Sequence, residues 1–440
     1  MRILLPYFIV FCAASGAWCE SGSAQLTAPP SVTAITLADA VKRAETANTA
    51  YATAVADAKV GDSERTIARS ALLPGFVYHN QYLYTQGTGR ASSPIRFIAN
   101  NTVHEYVSQG SVTETIGGAG FAGYRRATAE AAAARARLEV ARRGLVVTVV
   151  GNYYGVLAAE AKLAVAQRAL EEANRFSSIT RKREFGGEVA HADSVRADLQ
   201  SQQRQRDLND AVLAVERARL DLGVLLFSDP TTAFTLSSSL EQLPGLPLRA
   251  EVESAAMTRN PDLKAAVESL HATRLGVTAA RLAYLPDLVV NYNYGIDAPQ
   301  FAVHGPDGTH NLGYSAAVTF DLPIWDWFAT RSRVHESVAR REQAQVELNA
   351  TQRQLIASLN ATYREAQVAL DQLQLLNKSV QSAAESLRLT NLRYSSGEGS
   401  VLEVVDSENT LVQAESSRAD GAARYFNAIA SLQTLTGNMP

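Results

Sequence analysis

The residue types that most often do chemistry in proteins are scattered along this chain and form no catalytic pattern. No Gly-x-Ser-x-Gly sequence presents a serine nucleophile, and the carboxylates are spread along predicted helices. Seven histidines occur without the spacing of metal ligands. They are His79, His104, His191, His271, His304, His310 and His335. We therefore predict that the protein is not an enzyme and that it has no cofactor and no metal site.

Two pairs of residues could still take part in chemistry, and each has an ordinary explanation. His304 and His310 share one predicted loop and could bind a metal ion together, but a mobile surface pair is the more common arrangement. Cys12 and Cys19 are the two cysteines of the chain, and both lie close to its start. Neither is expected to act as a nucleophile or to form a disulfide in the mature protein.

The charge of the chain is nearly balanced, with a formal net charge of −3 at pH 7. The sequence contains no basic tract, no zinc-finger spacing and no glycine-rich phosphate loop. We therefore predict that nucleic acid is not a partner.

Residues 1–24 have the features of a secretory signal peptide, and residues 25–35 form a polar, proline-containing leader. One positive charge is followed by an apolar run and then by small residues that suit cleavage. A membrane anchor is the alternative, but the apolar run is shorter than the roughly 18 residues that a span needs. Lipidation of Cys19 is a further alternative, which the bulky Trp18 before it disfavours.

The chain contains the same unit twice. Pro74 aligns with Pro286, and Asn48 aligns with Asn260, at one constant offset. Later in each half, three further residues match at nearly the same offset. They are Arg183, Gly187 and Glu188 against Arg393, Gly397 and Glu398. We predict a duplicated helix–strand–helix unit, with a first repeat at 36–245 and a second at 246–440.

Each repeat is predicted to carry one long helical hairpin, at about 122–228 and about 325–436. The long arm of each hairpin, at about 123–183 and about 330–394, contains no proline, and about 60 residues of helix span on the order of 90 Å. The second helix keeps a heptad register that is rich in small residues and typical of coiled coils. One row is Leu348, Leu355, Thr362, Ala369, Leu376, Ala383 and Thr390, and the other is Gln352, Leu359, Ala366, Leu373, Val380, Leu387 and Tyr394.

Four alternating strands are predicted, at about 75–85, 107–117, 287–297 and 313–322. Strands of about ten residues, aromatic on one face and polar on the other, are typical of an outer-membrane barrel wall. A pair of soluble hairpins is the alternative. Four strands cannot close a barrel, and lipid does not tolerate an open edge, so several chains must combine their strands.

From Leu37 to its end, the chain resembles the TolC-like outer-membrane efflux proteins. The resemblance rests on the duplication and on four short sequences. They are Asn260-Pro261 at a helix start, Tyr284-Leu285-Pro286 before a strand, Leu322-Pro323-Ile324-Trp325-Asp326 with Arg331 beyond, and Arg393-Tyr394-Ser395-Ser396-Gly397 at a hairpin tip. The first repeat departs from the pattern at Ile116-Gly117-Gly118, where the proline and the aromatic-Asp pair are missing.

The resemblance implies a mainly α protein with a transmembrane β part, assembled as a homotrimer in the outer membrane. Three chains would form a twelve-stranded barrel among the outer-membrane lipids, and their helices would continue it as a tunnel through the periplasm. The implied function is passive export of small molecules or polypeptides, as the exit duct of a tripartite efflux or type I secretion system. An inner-membrane pump of RND, ABC or MFS type would deliver cargo, and a periplasmic adaptor would dock at the hairpin tips.

The resemblance also implies a gate at those tips. Glu403 and Asp406 occupy the positions of an acidic ring around the periplasmic opening, and they share one helix face. Ordinary solvated helix charges are the alternative for both residues. Tyr394 and Asp193 occupy the positions of a latch, whereas a second family latch is missing because Gly399 stands in place of an arginine.

The remaining implied site residues lie at the turns. Gly186, Gly187, Gly397 and Gly399 mark the hairpin tips where an adaptor would dock, and Pro323, Trp325 and Asp326 mark the junction of strand and helix. The competing interpretation is a coiled-coil scaffold protein that conducts nothing. That interpretation does not explain four amphipathic strands placed symmetrically between helical arms.

Overall fold

The computed structural model describes residues 33–84 and 104–437 of the 440-residue chain. The predicted signal peptide, most of the leader and most of the loop after the first predicted strand lie outside the described residues.

The two repeats have the same order of elements. The first consists of β1 (Thr33–Ile35), α1 (Leu37–Ala47), α2 (Thr49–Ser70), β2 (Gly75–Tyr84), β3 (His104–Ile116), α3 (Gly118–Phe185) and α4 (His191–Leu226). The second consists of β4 (Phe234–Leu236), α5 (Arg249–Arg259), α6 (Pro261–Leu282), β5 (Asp287–Ala298), β6 (Leu312–Asp321), α7 (Ala329–Ser395) and α8 (Val401–Thr436). Two long hairpins and four main strands therefore make up most of the described chain, and the predicted fold class is confirmed.

The matched asparagines of the two repeats sit at equivalent helix junctions. Asn48 ends α1 and caps α2, and its Oδ1 accepts a hydrogen bond of 2.9 Å from the Tyr51 amide. Asn260 does the same between α5 and α6, where its Oδ1 accepts a 2.9 Å bond from the Leu263 amide. An asparagine cap satisfies an amide that the helix leaves without a partner. The repeated residue therefore fixes the same bend in both halves.

The helices α3 and α7 are 68 and 67 residues long, so each extends for about 100 Å. In α7 the buried side chains follow the predicted heptad rows, as expected for a helix packed along its whole length. Among them are Leu348, Leu355, Leu359, Ala366, Ala369, Leu373 and Ala383. The hairpin partners α4 and α8 pack along α3 and α7, and α3 and α8 also pack against each other.

The main hydrophobic core surrounds the middle of α3. Tyr153 is fully buried there, and its hydroxyl donates to the Ile35 carbonyl at 3.1 Å. The neighbouring Tyr154 ring stacks on Phe426 of α8, with centroids 3.9 Å apart. This stretch of α3 is apolar enough to resemble a membrane span, but half of the apolar window is buried inside the protein. It is therefore a core segment, as the sequence predicted.

The four main strands form one antiparallel sheet in the order β2-β3-β5-β6. The register brings the aromatic positions of both repeats to one face. Phe76, Val112, Tyr292 and Ala316 form one row across the sheet, and Tyr78, Gly110, Tyr294 and Tyr314 form the next. The opposite face includes Ser111, Asn293 and Ser315 in one row, whereas Asn80 and Ser108 interrupt the aromatic face. One side of the sheet therefore suits lipid and the other suits water.

The short strands β1 and β4 form a separate parallel pair beside the main core. Ile35 pairs with Leu236, and the Ile35 carbonyl also accepts from the Ser237 amide at 3.2 Å. The pair ties the start of the described chain to the connection between the repeats. Three-residue strands carry too little alternation to be predicted from a sequence.

Close packing of α4 gives a first test of the core. A Cβ atom at Gly223 would overlap the backbone carbonyl of Pro230, which cannot rotate away. We predict that Gly223→Ala lowers stability by about 1–3 kcal/mol, because the loop must shift. The change is measurable as a lower melting temperature of the detergent-purified protein.

The control is Gly144→Ala in α3, where no described atom lies within 4 Å of the new Cβ. There the substitution should be neutral or stabilising, by up to about 1 kcal/mol. Equal melting temperatures for the two variants would contradict the packing at Gly223.

Candidate functional site

The first hairpin tip is a helix end closed by glycine. Gly187 has a φ of 77°, in the left-handed region that favours glycine. The chain then folds back so that the Glu188 amide donates to the Arg183 carbonyl at 2.9 Å, and the Gly187 amide donates to Glu184 at 2.8 Å. These two bonds define a Schellman motif, which satisfies the last carbonyls of α3.

The second tip repeats this geometry. Gly397 has a φ of 83°, and the Glu398 amide donates to the Arg393 carbonyl at 2.9 Å. The matched Arg, Gly and Glu of the two repeats therefore occupy equivalent positions of two Schellman motifs. Gly399 has a different role, because a Cβ there would lie 2.9 Å from the backbone nitrogen of Tyr394. This close approach explains why a small residue stands at that position.

Arg183 connects the two tips. Its guanidinium donates to the Tyr394 carbonyl at 2.7 Å and to the Ser395 carbonyl at 2.8 Å. It also lies over the Tyr394 ring, 4.8 Å from the centroid, while Phe176 packs on the same ring at 5.0 Å. Arginine over an aromatic face adds a cation–π attraction to the hydrogen bonds. The end of α7 is therefore fixed to the end of α3 by one side chain.

Tyr394 is 5% exposed, but the structure does not bring it together with Asp193 in a hydrogen bond. Its hydroxyl lies 3.2 Å from Thr180 Oγ1 in α3 instead. Asp193 lies in the first turn of α4, where its negative charge suits the helix N-terminus. Within the chain, the Tyr394 hydroxyl thus contacts Thr180, one turn before Arg183, and not the predicted partner Asp193.

Glu403 and Asp406 both lie exposed in the first turns of α8, but their environments differ. Glu403 completes a capping arrangement with Ser400, whose Oγ accepts from the Glu403 amide at 3.3 Å. Its carboxylate also forms a 3.1 Å ion pair with Arg393. No described side chain hydrogen-bonds the carboxylate of Asp406. Of the two acidic residues Glu403 and Asp406, therefore, Asp406 carries the charge that no described side chain neutralises.

The strand-to-helix junction of the second repeat is compact and aromatic. Trp325 contacts Trp327 and Phe328, with ring centroids 5.7 Å and 5.4 Å away. Trp327 and Phe328 have φ values of 54° and 65°, an unfavourable backbone for residues of this size. Asp326 Oδ2 accepts from the Thr330 amide at 2.7 Å, in the first turn of α7. Hydrogen bonds from the Thr330 side chain and amide lower the pKa of the carboxyl.

The junction of the first repeat reaches the helix by a different route. α3 begins two residues after β3 ends, and Gly117 between them has an extended φ of −144°. A Cβ at Gly117 would overlap the Asp287 carboxylate at the start of β5. The glycine therefore leaves room for a neighbouring strand, and no proline or aromatic turn is needed here.

Glu408 is a buried acid two residues beyond Asp406 on α8, with 8% of its surface exposed. Burial raises its pKa to about 7, opposed by Arg204 on α4 and assisted by Glu172 on α3. Arg204 is itself buried and bonds Asp207 at 3.1 Å, so it does not directly pair with Glu408. Near neutral pH this carboxyl is therefore partly protonated.

The sequence interpretation missed three residues at this site. Arg183 was visible as part of the repeated motif, but nothing indicated that its side chain crosses to the other hairpin. Thr180 and Glu408 lie on buried helix faces without a local signal, and only the packing of four helices shows their partners.

The family model of outer membrane efflux proteins matches the chain twice, at residues 40–226 and 252–438. The chain belongs to the outer membrane efflux protein family. The match is in agreement with the prediction of a protein that is not an enzyme, and it places the chain in the outer membrane with its helices extending into the periplasm.

Individual relatives of this efflux family are distant. The cobalt-zinc-cadmium resistance protein CzcC of Cupriavidus metallidurans is 21% identical over 305 residues, which cover 69% of this chain and 70% of that protein. The outer membrane protein OpmQ of Pseudomonas putida, described as a pyoverdine exporter, is 26% identical over 62% of this chain and 57% of its own length. The CmeC outer membrane channel of Campylobacter jejuni has the same fold, with a TM-score of 0.77 at 19% identity, covering 91% of this chain and 85% of that one.

The buried acid yields a pH-dependent prediction. Because the folded-state pKa of Glu408 is raised above its usual 4.5, the folded protein keeps a proton that the unfolded chain loses. The free energy of unfolding is therefore highest below about pH 4.5. Loss of the proton from the unfolded chain lowers it by roughly 3 kcal/mol between about pH 4.5 and pH 7. We expect Glu408→Gln to raise the melting temperature at pH 8 and to leave it nearly unchanged at pH 4.5.

The matched control is Glu385→Gln on the exposed surface of α7, where the acid pairs with Arg388 in its own helix. The melting temperature of Glu385→Gln, relative to that of the parent protein, should not rise with pH. If Glu408→Gln behaves in the same way, the carboxyl is not desolvated in the folded protein.

Proposed function

We propose that three copies of this chain assemble into an exit duct for a pump complex. The observation that carries this proposal is the open sheet. Within the described residues, β2 and β6 each have a neighbour on one side only, and nearly all their side chains are exposed. Unpaired backbone groups are not tolerated in lipid. Pairing of β6 with β2 of the next chain continues the antiparallel alternation and removes both edges.

A barrel with room for a solute needs more than two chains. Two chains would give eight strands, and a barrel of that size is just wide enough for side chains to fill. Three chains give twelve strands and leave room for a solute. The long helices then continue the wall of the barrel for about 100 Å, a length suited to a tunnel through the periplasm.

The cargo is set by the proteins at the inner end of the duct. The relatives' names range from metal resistance to pyoverdine export, although these proteins share one family. We infer that a pump of RND, ABC or MFS type and a periplasmic adaptor choose the substrate, and that the duct conducts it passively. Phe185 is 97% exposed beside Gly186, which makes the tip a suitable surface for the adaptor.

The gate of the proposed duct lies at the hairpin tips. Arg183 and Tyr394 hold the two hairpins of one chain together, and the acidic side chains of α8 lie just beyond. Threefold symmetry would repeat Glu403 and Asp406 around the opening. Because Glu403 is paired with Arg393, the ring would attract cations mainly through Asp406.

The charge difference predicts an unequal effect of two substitutions on ion selectivity. In planar bilayers, Asp406→Asn should largely remove the cation preference of the detergent-purified channel, whereas Glu403→Gln should weaken it less. Single-channel reversal potentials under a salt gradient measure the preference. Glu336→Gln, near the start of α7 and paired with Arg340 in its own helix, is the control and should leave it unchanged. Equal selectivity in all four proteins would move the gate away from this ring.

The contact between the tips predicts a leakier channel when it is removed. Arg183→Gln loses the bonds to two carbonyls and the cation–π contact, so single-channel conductance and antibiotic entry should rise several-fold. The matched control is Arg175→Gln, because among the described residues Arg175 pairs only with Glu171 and Glu172 of its own helix. Unchanged conductance in Arg183→Gln would show that this contact does not restrict opening. Folded protein that never conducts, with or without these substitutions, would favour the scaffold alternative.

A further inference from the structure

His304 and His310 face each other across the loop that joins β5 and β6. The Gly305 amide donates to the Thr309 carbonyl at 2.8 Å, and the Asn311 amide donates to the Val303 carbonyl at 2.9 Å. The two histidines lie between these bonds as a directly opposed pair. In such a non-hydrogen-bonded pair the side chains leave the backbone on the same face and come closest together.

The segment around the two histidines is held by its own backbone. Gly308 takes a φ of 81° in the turn, and its amide donates to the Gly305 carbonyl at 3.1 Å. Asn311 Nδ2 donates to the Ala302 carbonyl at 2.9 Å, which closes the other end. The sequence had suggested a mobile surface pair, but the two histidines are not independent residues. Their spacing is fixed by a small hairpin.

The two imidazole rings are in contact and open to solvent. Their centroids are 4.5 Å apart with an interplanar angle of 57°, and both residues are exposed. Two other histidines have an occupied ring nitrogen. His104 Nδ1 lies 2.7 Å from the Tyr82 hydroxyl, and His191 Nδ1 lies 2.6 Å from Glu184. Among the described residues, no hydrogen bond occupies a ring nitrogen of His304 or His310.

We propose that His304 and His310 bind one divalent transition-metal ion per chain, of the class of Zn²⁺, Ni²⁺ and Cu²⁺. Two imidazoles that share a metal at about 2.0–2.1 Å place their ring centres about 4.5 Å apart at a right angle and about 5.2 Å apart in a tetrahedron. The separation of 4.5 Å found here lies at the short end of that range. Neutral imidazole suits these ions, whereas Mg²⁺ and Ca²⁺ prefer oxygen ligands. Water completes the coordination, so the site is open and exchangeable. The proposal does not depend on transport through the duct.

The first experiment is calorimetric titration of Zn²⁺ alone into the detergent-purified full chain, stripped of metal with a chelator, at pH 7.5. We expect one Zn²⁺ ion to bind per chain. His304→Ala and His310→Ala should each weaken the binding by about tenfold or more. The control is His335→Ala, an exposed histidine on α7, which should retain full binding. Affinity should fall at pH 5.5 in the parent protein, because protons compete for imidazole.

A second readout separates a shared site from two single histidines. One equivalent of Cu²⁺ per chain should give an electron paramagnetic resonance spectrum with two imidazole nitrogens, and either single substitution should reduce this to one. A one-nitrogen spectrum in the parent protein, or equal loss of Zn²⁺ binding in His335→Ala, would overturn the proposal. Unchanged binding in His304→Ala and His310→Ala would overturn it as well.

Discussion

The open edges of the sheet are the constraint on which the rest of this structure depends. The strands β2 and β6 present unpaired backbone groups along ten residues each. An edge of that kind is unstable in lipid, and the aromatic face of the sheet is unsuited to water. Pairing of β6 of one chain with β2 of another removes the edges, and lipid around the closed wall covers the aromatic face. The fold therefore makes sense as one segment of a larger closed wall.

The helices and their tips follow from that closure. Each pair of strands is attached to one long hairpin, so a ring of strands places a ring of hairpins beneath it. The hairpin ends then converge far from the membrane, where two Schellman turns reverse the chain and Arg183 joins the tips. The hydrogen bonds of Arg183 at this end are partly exposed to solvent, unlike the bond of Tyr153 to Ile35 in the core. Opening can thus be confined to the tips while the middle of the protein stays intact.

The sequence predicted the features that depend on local chemistry. Helix length follows from the absence of proline, the strands from their alternation, and the tips from glycine at left-handed positions. What it could not predict depends on how separate elements meet. The partner of Tyr394 is Thr180 and not Asp193, because a small rotation between packed helices decides which side chains touch. The pairing of Glu403 with Arg393 and the facing of His304 and His310 likewise require the register of a fold.

The most direct test of the account is disulfide crosslinking between edge strands of different chains. A fixed cysteine at Ser315 in β6 would be combined with a cysteine at Val77, His79 or Gln81, which lie on the same face of β2. Both native cysteines fall within the predicted signal peptide, so the mature background would be free of thiols. Antiparallel partners lie about 4.5–5.5 Å apart, within reach of a disulfide. The account predicts that one register crosslinks efficiently and gives species of up to three chains and no larger. No crosslink at any position, or a ladder beyond three chains, would contradict it.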